Sequence, residues 1–195
     1  SERKIIKQYF VVHFITDKEM DSIFFVCDEV NDKILLDNFS NIILEHFGLK
    51  DTFSQFESWE KALKFLSKKA TQKQLLLVID EFPYLANAYP AFSSILQRLI
   101  DQDFLNSKLF IILCGSSISF MEKKVLSAKS PLFGRRTGQM KIEQFDYMQT
   151  ANFFPDISLR EKVSLYGIMG GIPQYILKWD KNHSIEENIK DNFLN

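Results

Sequence analysis

Short, continuous runs of apolar residues alternate along the chain with longer stretches in which apolar positions recur every three or four residues. Residues 23–27, 75–79 and 109–114 are continuous apolar runs, which are typical of strands buried on both faces of a parallel sheet. The stretches at 32–48 and 91–100 have helical spacing, as does the segment WEKALKFLSKKA that begins at Trp59. This alternation predicts an α/β fold, with a parallel sheet and helices on both of its faces.

Local signals predict where several helices begin and end. Gly48 follows the first helical stretch and predicts its end. Ser54 and Glu57 have the spacing of a capping box and predict the start of the next helix. Residues 3–10 also have helical spacing, residues 11–15 form a short strand or the tail of that helix, and residues 119–127 form a short helix before a loop at 130–139.

From residue 146 onward the pattern contains helices and no further strands. A short helix ends at Pro155, a capping box formed by Ser158 and Glu161 opens a second helix that runs to Met169, and a third helix begins near Pro173. We therefore predict two parts, an α/β core over residues 1–145 and a small helical subdomain over residues 146–195.

Composition and charge exclude some classes of protein. Lys and Arg total 24 against 25 Asp and Glu, so the net charge of −1 lacks the basic excess that is usual in nucleic-acid-binding domains. No apolar run approaches the roughly 18 residues of a membrane span, so we expect no membrane partner. Cys27 and Cys114 both lie inside apolar runs, which is typical of buried, reduced thiols in a cytoplasmic protein. Nineteen Phe residues indicate a core rich in aromatic side chains.

The segment LLLVIDEFPYL places Asp80 and Glu81 directly after five consecutive apolar residues, a run that is typical of a central strand covered on both faces. Open α/β sheets bind ligands at the carboxyl ends of their strands, so both acids are predicted at the ligand-binding edge. In P-loop nucleotide hydrolases, an acid in the position of Asp80 holds Mg²⁺ and a second acid in the position of Glu81 polarises the attacking water. The alternative is that Asp80 caps the following turn and Glu81 is solvated.

Two further segments carry candidate phosphate contacts. Ser116 and Ser117 follow the predicted strand at 109–114, where a hydroxyl would face the γ-phosphate and the attacking water; alternatively, Ser117 caps the next helix. Arg135 and Arg136 lie in a loop flanked by glycines and have the forked geometry that binds phosphate oxygens, within this chain or from a neighbouring one. For the arginines, a solvated loop or a pairing with surface acids is an equally good interpretation.

Together these segments resemble the archaeal-type ATPase family, a P-loop group close to the AAA+ and STAND ATPases. The resemblance covers roughly residues 22–180, and its most specific parts are CGSS…SPLFGRRTGQ and the box GGIPQY. It implies that Asp80 and Glu81 are the Walker B acids and that Ser116 and Ser117 form a sensor-1-like element. It also places the GGIP segment, with Gly170, Gly171 and Pro173, near the nucleotide in a helical lid, and it implies ATP and Mg²⁺ as ligands.

The sequence departs from the family at the phosphate-binding loop. A Walker A loop needs the pattern G-x-x-x-x-G-K-[ST], and none of the seven glycines is followed by Lys. The family's loop precedes the first helix, so we expect the loop and its strand to lie upstream, with Ser1 as the hydroxyl residue at its end. The helical lid is likewise expected to continue beyond residue 195.

The favoured interpretation is therefore an ATP-binding and ATP-hydrolysing module of a larger cytoplasmic protein. The alternative is a non-catalytic nucleotide switch or scaffold with the same fold. The 195 residues on their own are expected to bind ATP poorly, since the phosphate loop supplies the main anion site. A homo-oligomer or a partner protein is expected, with DNA contacted only through domains outside this segment.

Overall fold

The computed structural model describes residues 21–180 and 182–193, and within them it contains a parallel sheet of three strands. These strands are β1 (Ser22–Val26), β2 (Leu75–Asp80) and β3 (Leu109–Leu113), in the order β1-β2-β3. Ile79 of β2 pairs with Phe25 on one side and with Leu113 on the other. The predicted α/β class and the parallel pairing of the second and third strands are confirmed. The elements predicted at 3–10 and 11–15 lie outside the described residues.

Two pairs of helices connect the three strands. Helices α1 (Asp32–His46) and α2 (Trp59–Lys69) lead from β1 to β2, and helices α3 (Phe82–Ala88) and α4 (Phe92–Gln102) lead from β2 to β3. The predicted start of α2 at Ser54 is wrong. Ser58 is its N-cap, and its hydroxyl accepts the Lys61 N–H at 3.2 Å.

Alternate residues of the strands face a large apolar core. Its largest side chains are aromatic, and the rings of Phe25, Phe39, Trp59 and Phe92 contact one another with centroids 5.0–6.2 Å apart. The other face of β2 carries Leu76, which is also completely buried. All six residues of β2 are buried, so β2 is the central strand in environment as well as in order.

After β3 the chain forms α5 (Ile118–Phe120), which continues as a π-helical segment (Met121–Leu126), and then a series of turns up to Gln139. A second compact unit begins at Met140. It contains α6 (Tyr147–Ala151), α7 (Leu159–Met169), α8 (Pro173–Lys178) and α9 (Ile185–Phe193). The described part of this unit therefore has a fourth helix beyond the three predicted.

Capping boxes begin two helices of the second unit. The predicted box of Ser158 and Glu161 at the start of α7 is confirmed, and a second box, formed by Asp146 and Gln149, begins α6. Phe154, Leu165, Met169 and Ile176 form a small core of their own. No helix among the described residues is both long enough and apolar enough to span a bilayer.

Candidate functional site

The two acids lie at the carboxyl end of the central strand. Asp80 is the last residue of β2, and Glu81 follows it as the N-cap residue of α3. Asp80 is 1% exposed and Glu81 is 4% exposed, so the alternative of a solvated Glu81 is wrong. The Asp80 carboxylate accepts the Glu81 N–H at 2.9 Å, which fixes the turn between strand and helix. Burying two neighbouring carboxylates is costly unless a polar network or a ligand compensates them.

The backbone of Glu81 is held in an unusual conformation. Its φ of 51° makes it the only non-glycine residue with positive φ in the described part of the chain. Such a conformation costs about 1–2 kcal/mol and persists where the surroundings determine it. Here the Phe82 N–H donates to the Cys114 carbonyl at 2.8 Å, and the Tyr84 N–H donates to the Glu81 carbonyl at 3.0 Å. These two hydrogen bonds hold the backbone of Glu81 between the end of β3 and the first turn of α3, and so fix the position of its Cα–Cβ bond.

Ser116 contacts Glu81 directly. Its hydroxyl donates to Glu81 Oε2 at 2.9 Å, and its N–H donates to the same oxygen at 3.3 Å. Gly115 allows this approach, because a Cβ at that position would lie 2.9 Å from Pro83 Cδ in α3. The sequence predicts that Ser116 lies near the acids, but it gives no sign of the requirement for Gly115.

Ser117 is placed differently from Ser116. It is exposed and is the N-cap residue of α5, where its carbonyl accepts the Met121 N–H at 3.0 Å. Its hydroxyl makes no capping hydrogen bond, so the predicted side-chain cap is wrong although its position at the start of the helix is correct.

Comparisons with known proteins agree with this geometry. A family of ATPase domains found predominantly in Archaea matches residues 3–179. The chain belongs to this family. An uncharacterised protein of Methanocaldococcus jannaschii, MJECL04, is 41% identical over 145 residues, which are 71% of this chain and 31% of that protein. The Walker-type ATPase PABY2304 of Pyrococcus abyssi has a similar fold, with a TM-score of 0.67 at 18% identity over 97% of this chain and 65% of that structure.

The chain therefore spans less than two thirds of the length of either relative. Its P-loop NTPase fold is supported both by the family match and by the solved structure. The resemblance to archaeal-type ATPases that the sequence motifs indicate is confirmed.

Arg135 of this ATPase domain is paired with a surface acid. Its Nε donates to both oxygens of Asp101, at 2.9 and 3.1 Å, and one of its terminal nitrogens donates to Asp101 Oδ2 at 2.8 Å. The other terminal nitrogen donates to the Pro131 and Phe133 carbonyls. Asp101 lies near the end of α4, shortly before the chain enters the amino end of β3. The structure thus brings Arg135 to Asp101 and not to the acids at the opposite edge of the sheet.

Arg136 is more exposed than Arg135. One of its nitrogens donates to the Leu126 carbonyl at 2.9 Å, and its guanidinium lies over the Phe133 ring at 5.7 Å from the centroid. Neither contact neutralises its charge. The two arginines therefore differ: Arg135 is paired with an acid, and Arg136 is an exposed cation.

The predicted nucleotide contacts in the GGIP box have structural roles within the helical unit. Gly170 ends α7 with a φ of 58°, and Pro173 is the first residue of α8. The Gly171 carbonyl accepts the Phe145 N–H at 2.9 Å, and a Cβ on Gly171 would lie 1.7 Å from the Phe145 oxygen. Ser1, the remaining predicted contact, lies outside the described residues.

A buried thiol lies beside the acids. Cys27, whose N–H donates to the Asp80 carbonyl, has its pKa raised to about 12, first by burial and then by the negative charge of Asp80. The described residues contain no group of three or more His, Cys, Asp and Glu side chains able to share a metal ion. Asp80 alone still fits Mg²⁺, because this ion is commonly bound by one or two carboxylates together with substrate phosphates and water.

Proposed function

We propose that this domain binds and hydrolyses ATP with Mg²⁺ as part of a longer protein. The observation that carries the proposal is the buried pair Asp80 and Glu81 at the carboxyl end of β2. The membership of the chain in a family of ATPase domains supports it. Two buried acids at a ligand-binding edge, one of them hydrogen-bonded to Ser116 after the end of the neighbouring strand, are suited to hold a cation and a water molecule.

The two acids have different roles in this proposal. Asp80 holds Mg²⁺, directly or through water, and the ion when bound neutralises charge on the β- and γ-phosphates. Glu81 orients a water molecule and accepts its proton as the water oxygen bonds to the γ-phosphorus. The bond between that phosphorus and the bridging oxygen breaks, which gives ADP and inorganic phosphate.

The AAA+-like features of the domain belong to the same proposal. Residues 1–145 act as the ATPase core and residues 146–195 as a helical lid, in which Gly170, Gly171 and Pro173 shape the segment nearest the nucleotide. Arg136 presents its cation to the nucleotide of a neighbouring chain. The protein works in the cytoplasm as a homo-oligomer or with a partner protein, and any contact with DNA is made through other domains.

Two isosteric variants of the full-length protein test the proposal. Glu81→Gln keeps the shape and hydrogen bonding of the side chain but removes the base, so turnover should fall about 10²–10⁴-fold while ATP still binds. Asp80→Asn should instead weaken Mg²⁺-dependent nucleotide binding, measured by calorimetric titration with and without the ion. Turnover that is unchanged in Glu81→Gln would overturn the catalytic role, and nucleotide binding without turnover in the wild type would favour a nucleotide switch.

A further inference from the structure

Ser116 directs two hydrogen-bond donors at one oxygen of Glu81. Both the hydroxyl, at 2.9 Å, and the backbone N–H, at 3.3 Å, reach Oε2. Hydrogen bonds to an ionised acceptor are stronger than those between neutral groups, particularly at a buried site. Ser116 is itself only partly exposed. The contact is therefore a substantial restraint on the orientation of the carboxylate.

The chemistry of a serine hydroxyl limits what else Ser116 does. A hydroxyl carries one hydrogen, so while that hydrogen is donated to Glu81 it is not available to a phosphate oxygen. The backbone N–H of Ser116 is directed at the same carboxylate oxygen. Both donors of this residue are thus used on Glu81.

Contacts of the neighbouring residues hold Ser116 and Glu81 close together. Gly115 leaves room for Pro83, whose Cδ would lie 2.9 Å from a Cβ at that position. The Phe82 N–H donates to the Cys114 carbonyl, which fastens the residue after Glu81 to the residue two before Ser116. Because its φ is positive, Glu81 does not have the backbone conformation that is usual at the start of a helix, and its side chain leaves the backbone in a different direction.

We infer that Ser116 is a positioning residue that acts on Glu81, and not a group that senses the γ-phosphate. The inference rests on the proposed role of Glu81 as the base. Ser116 orients the carboxylate so that its proton-accepting oxygen faces the water, and it contributes to the rate of the chemical step without contributing to nucleotide affinity. Ser117 is exposed and is the N-cap residue of α5, and it does not position Glu81.

The test compares steady-state kinetics of full-length variants. Ser116→Ala should lower kcat about tenfold and leave KM within twofold, because one charge-assisted hydrogen bond of about 1.5 kcal/mol is lost from the positioning of the base. Ser116→Thr, which keeps the hydroxyl, should restore most of the rate. Ser119→Ala, at an exposed serine of α5, is the matched control and should resemble the wild type. Thermal unfolding of each variant checks that the fold is retained.

A double-mutant cycle shows whether Ser116 acts through Glu81. In a Glu81→Gln background, Ser116→Ala should change the single-turnover rate by less than twofold, since the base that Ser116 positions is gone. An equal tenfold loss in both backgrounds would overturn the inference. So would a Ser116→Ala variant that loses affinity for ATP but not for ADP, because that loss identifies a γ-phosphate contact.

The same set of variants separates this inference from the proposed function. If Glu81→Gln turns over ATP like the wild type, the proposed function fails before Ser116 is considered. If Glu81→Gln is inactive but Ser116→Ala is unaffected in both kcat and KM, only the positioning role fails. Should Ser116→Ala be unstable, Ser116→Cys replaces it, because a thiol keeps the volume but is a weak donor.

Discussion

At the scale of single residues, the site depends on contacts that join parts of the chain far apart in sequence. Glu81 accepts two hydrogen bonds from Ser116, 35 positions later, and Arg135 is held by Asp101, 34 positions earlier. The sequence pattern predicts which side chains end a strand, because a strand end is a local feature. It does not predict which surface acid an arginine selects, because that choice depends on how α4 packs.

Arg135 is expected to order its loop rather than to assist hydrolysis. Asp101→Asn weakens the forked contact, and Arg135→Ala removes it together with the hydrogen bonds to the Pro131 and Phe133 carbonyls. Both should therefore increase chymotryptic cleavage after the exposed Phe133, Arg135→Ala by more, and leave kcat within about twofold. The Lys129→Ala variant removes another exposed cation and is the control. A large loss of kcat in Arg135→Ala, but not in Asp101→Asn, would show that the arginine itself serves the nucleotide.

Gly171 and Gly167 are a matched pair of glycines in the helical unit. A Cβ at Gly171 would collide with the Phe145 backbone, whereas at Gly167 in α7 it would meet nothing within 4 Å. Gly171→Ala should therefore destabilise the protein by about 2 kcal/mol or more. Gly167→Ala should be neutral or stabilise it by up to about 1 kcal/mol, because alanine is the better helix former.

Denaturant unfolding followed by circular dichroism measures both alanine variants. Equal midpoints for Gly171→Ala and the wild type would contradict the close packing at Phe145 that the structure gives to the GGIP box.

At the scale of elements, the sequence predicts the existence of helices better than their first residues. Both Ser54 and Ser58 precede α2 at plausible distances, and the spacing of Ser54 and Glu57 fits a capping box. The Ser58 hydroxyl is the one that accepts a backbone N–H of the first turn. Trp59, completely buried against Phe39 and Phe92, fixes where the helix enters the core and so decides between the two serines.

The N-cap of α2 gives a direct comparison between these two serines. Ser58→Ala should lower the free energy of unfolding by about 1 kcal/mol, since the Lys61 N–H then loses its acceptor. Ser54 is exposed, and Ser54→Ala should change the stability by less than about 0.5 kcal/mol. Equal losses, measured by urea unfolding, would contradict the assignment of the cap to Ser58.

Among the four helices that connect the strands, α3 is the one that the sequence pattern does not predict. It has seven residues, contains Pro83, begins at a residue with positive φ, and has no side-chain cap. Pro83 in the first turn is the one usual start signal that the helix has, and no capping side chain precedes it. Its position depends on the hydrogen bond of Phe82 to the tip of β3 and on the burial of Phe82 and Leu85, which are tertiary interactions.

At the scale of the whole molecule, the sheet explains why only one pair of acids is a candidate site. The apolar run of β1 also ends in an Asp-Glu pair, Asp28 and Glu29, and both of these residues are exposed. The acids after β2, by contrast, are buried, and β2 lies between the other two strands of the described sheet. The continuous apolar run at 75–79 is typical of a strand covered on both faces, but the runs at 23–27 and 109–114 are equally apolar, so the burial of the acids follows only from the packing.

Arg136 has a testable role at the scale of an assembly. If it acts on the nucleotide of a neighbouring chain, Arg136→Ala should lower kcat strongly with little change in KM, because a cation that acts only in the transition state affects kcat. Mixing this variant with Glu81→Gln should then restore part of the activity, since one mixed interface carries both intact groups. Normal turnover in Arg136→Ala would leave only its contacts with Leu126 and Phe133 to explain.

Single-turnover hydrolysis measures whether Glu81 activates water at the end of β2. The full-length protein, in excess over γ-labelled ATP and Mg²⁺, is followed for phosphate formation, so that binding and product release do not limit the rate. We expect a rate at least about 10²-fold slower for Glu81→Gln with the same amount of ATP bound, and an unchanged rate for Glu29→Gln, the exposed acid that follows β1. Equal rates for Glu81→Gln and the wild type would contradict it.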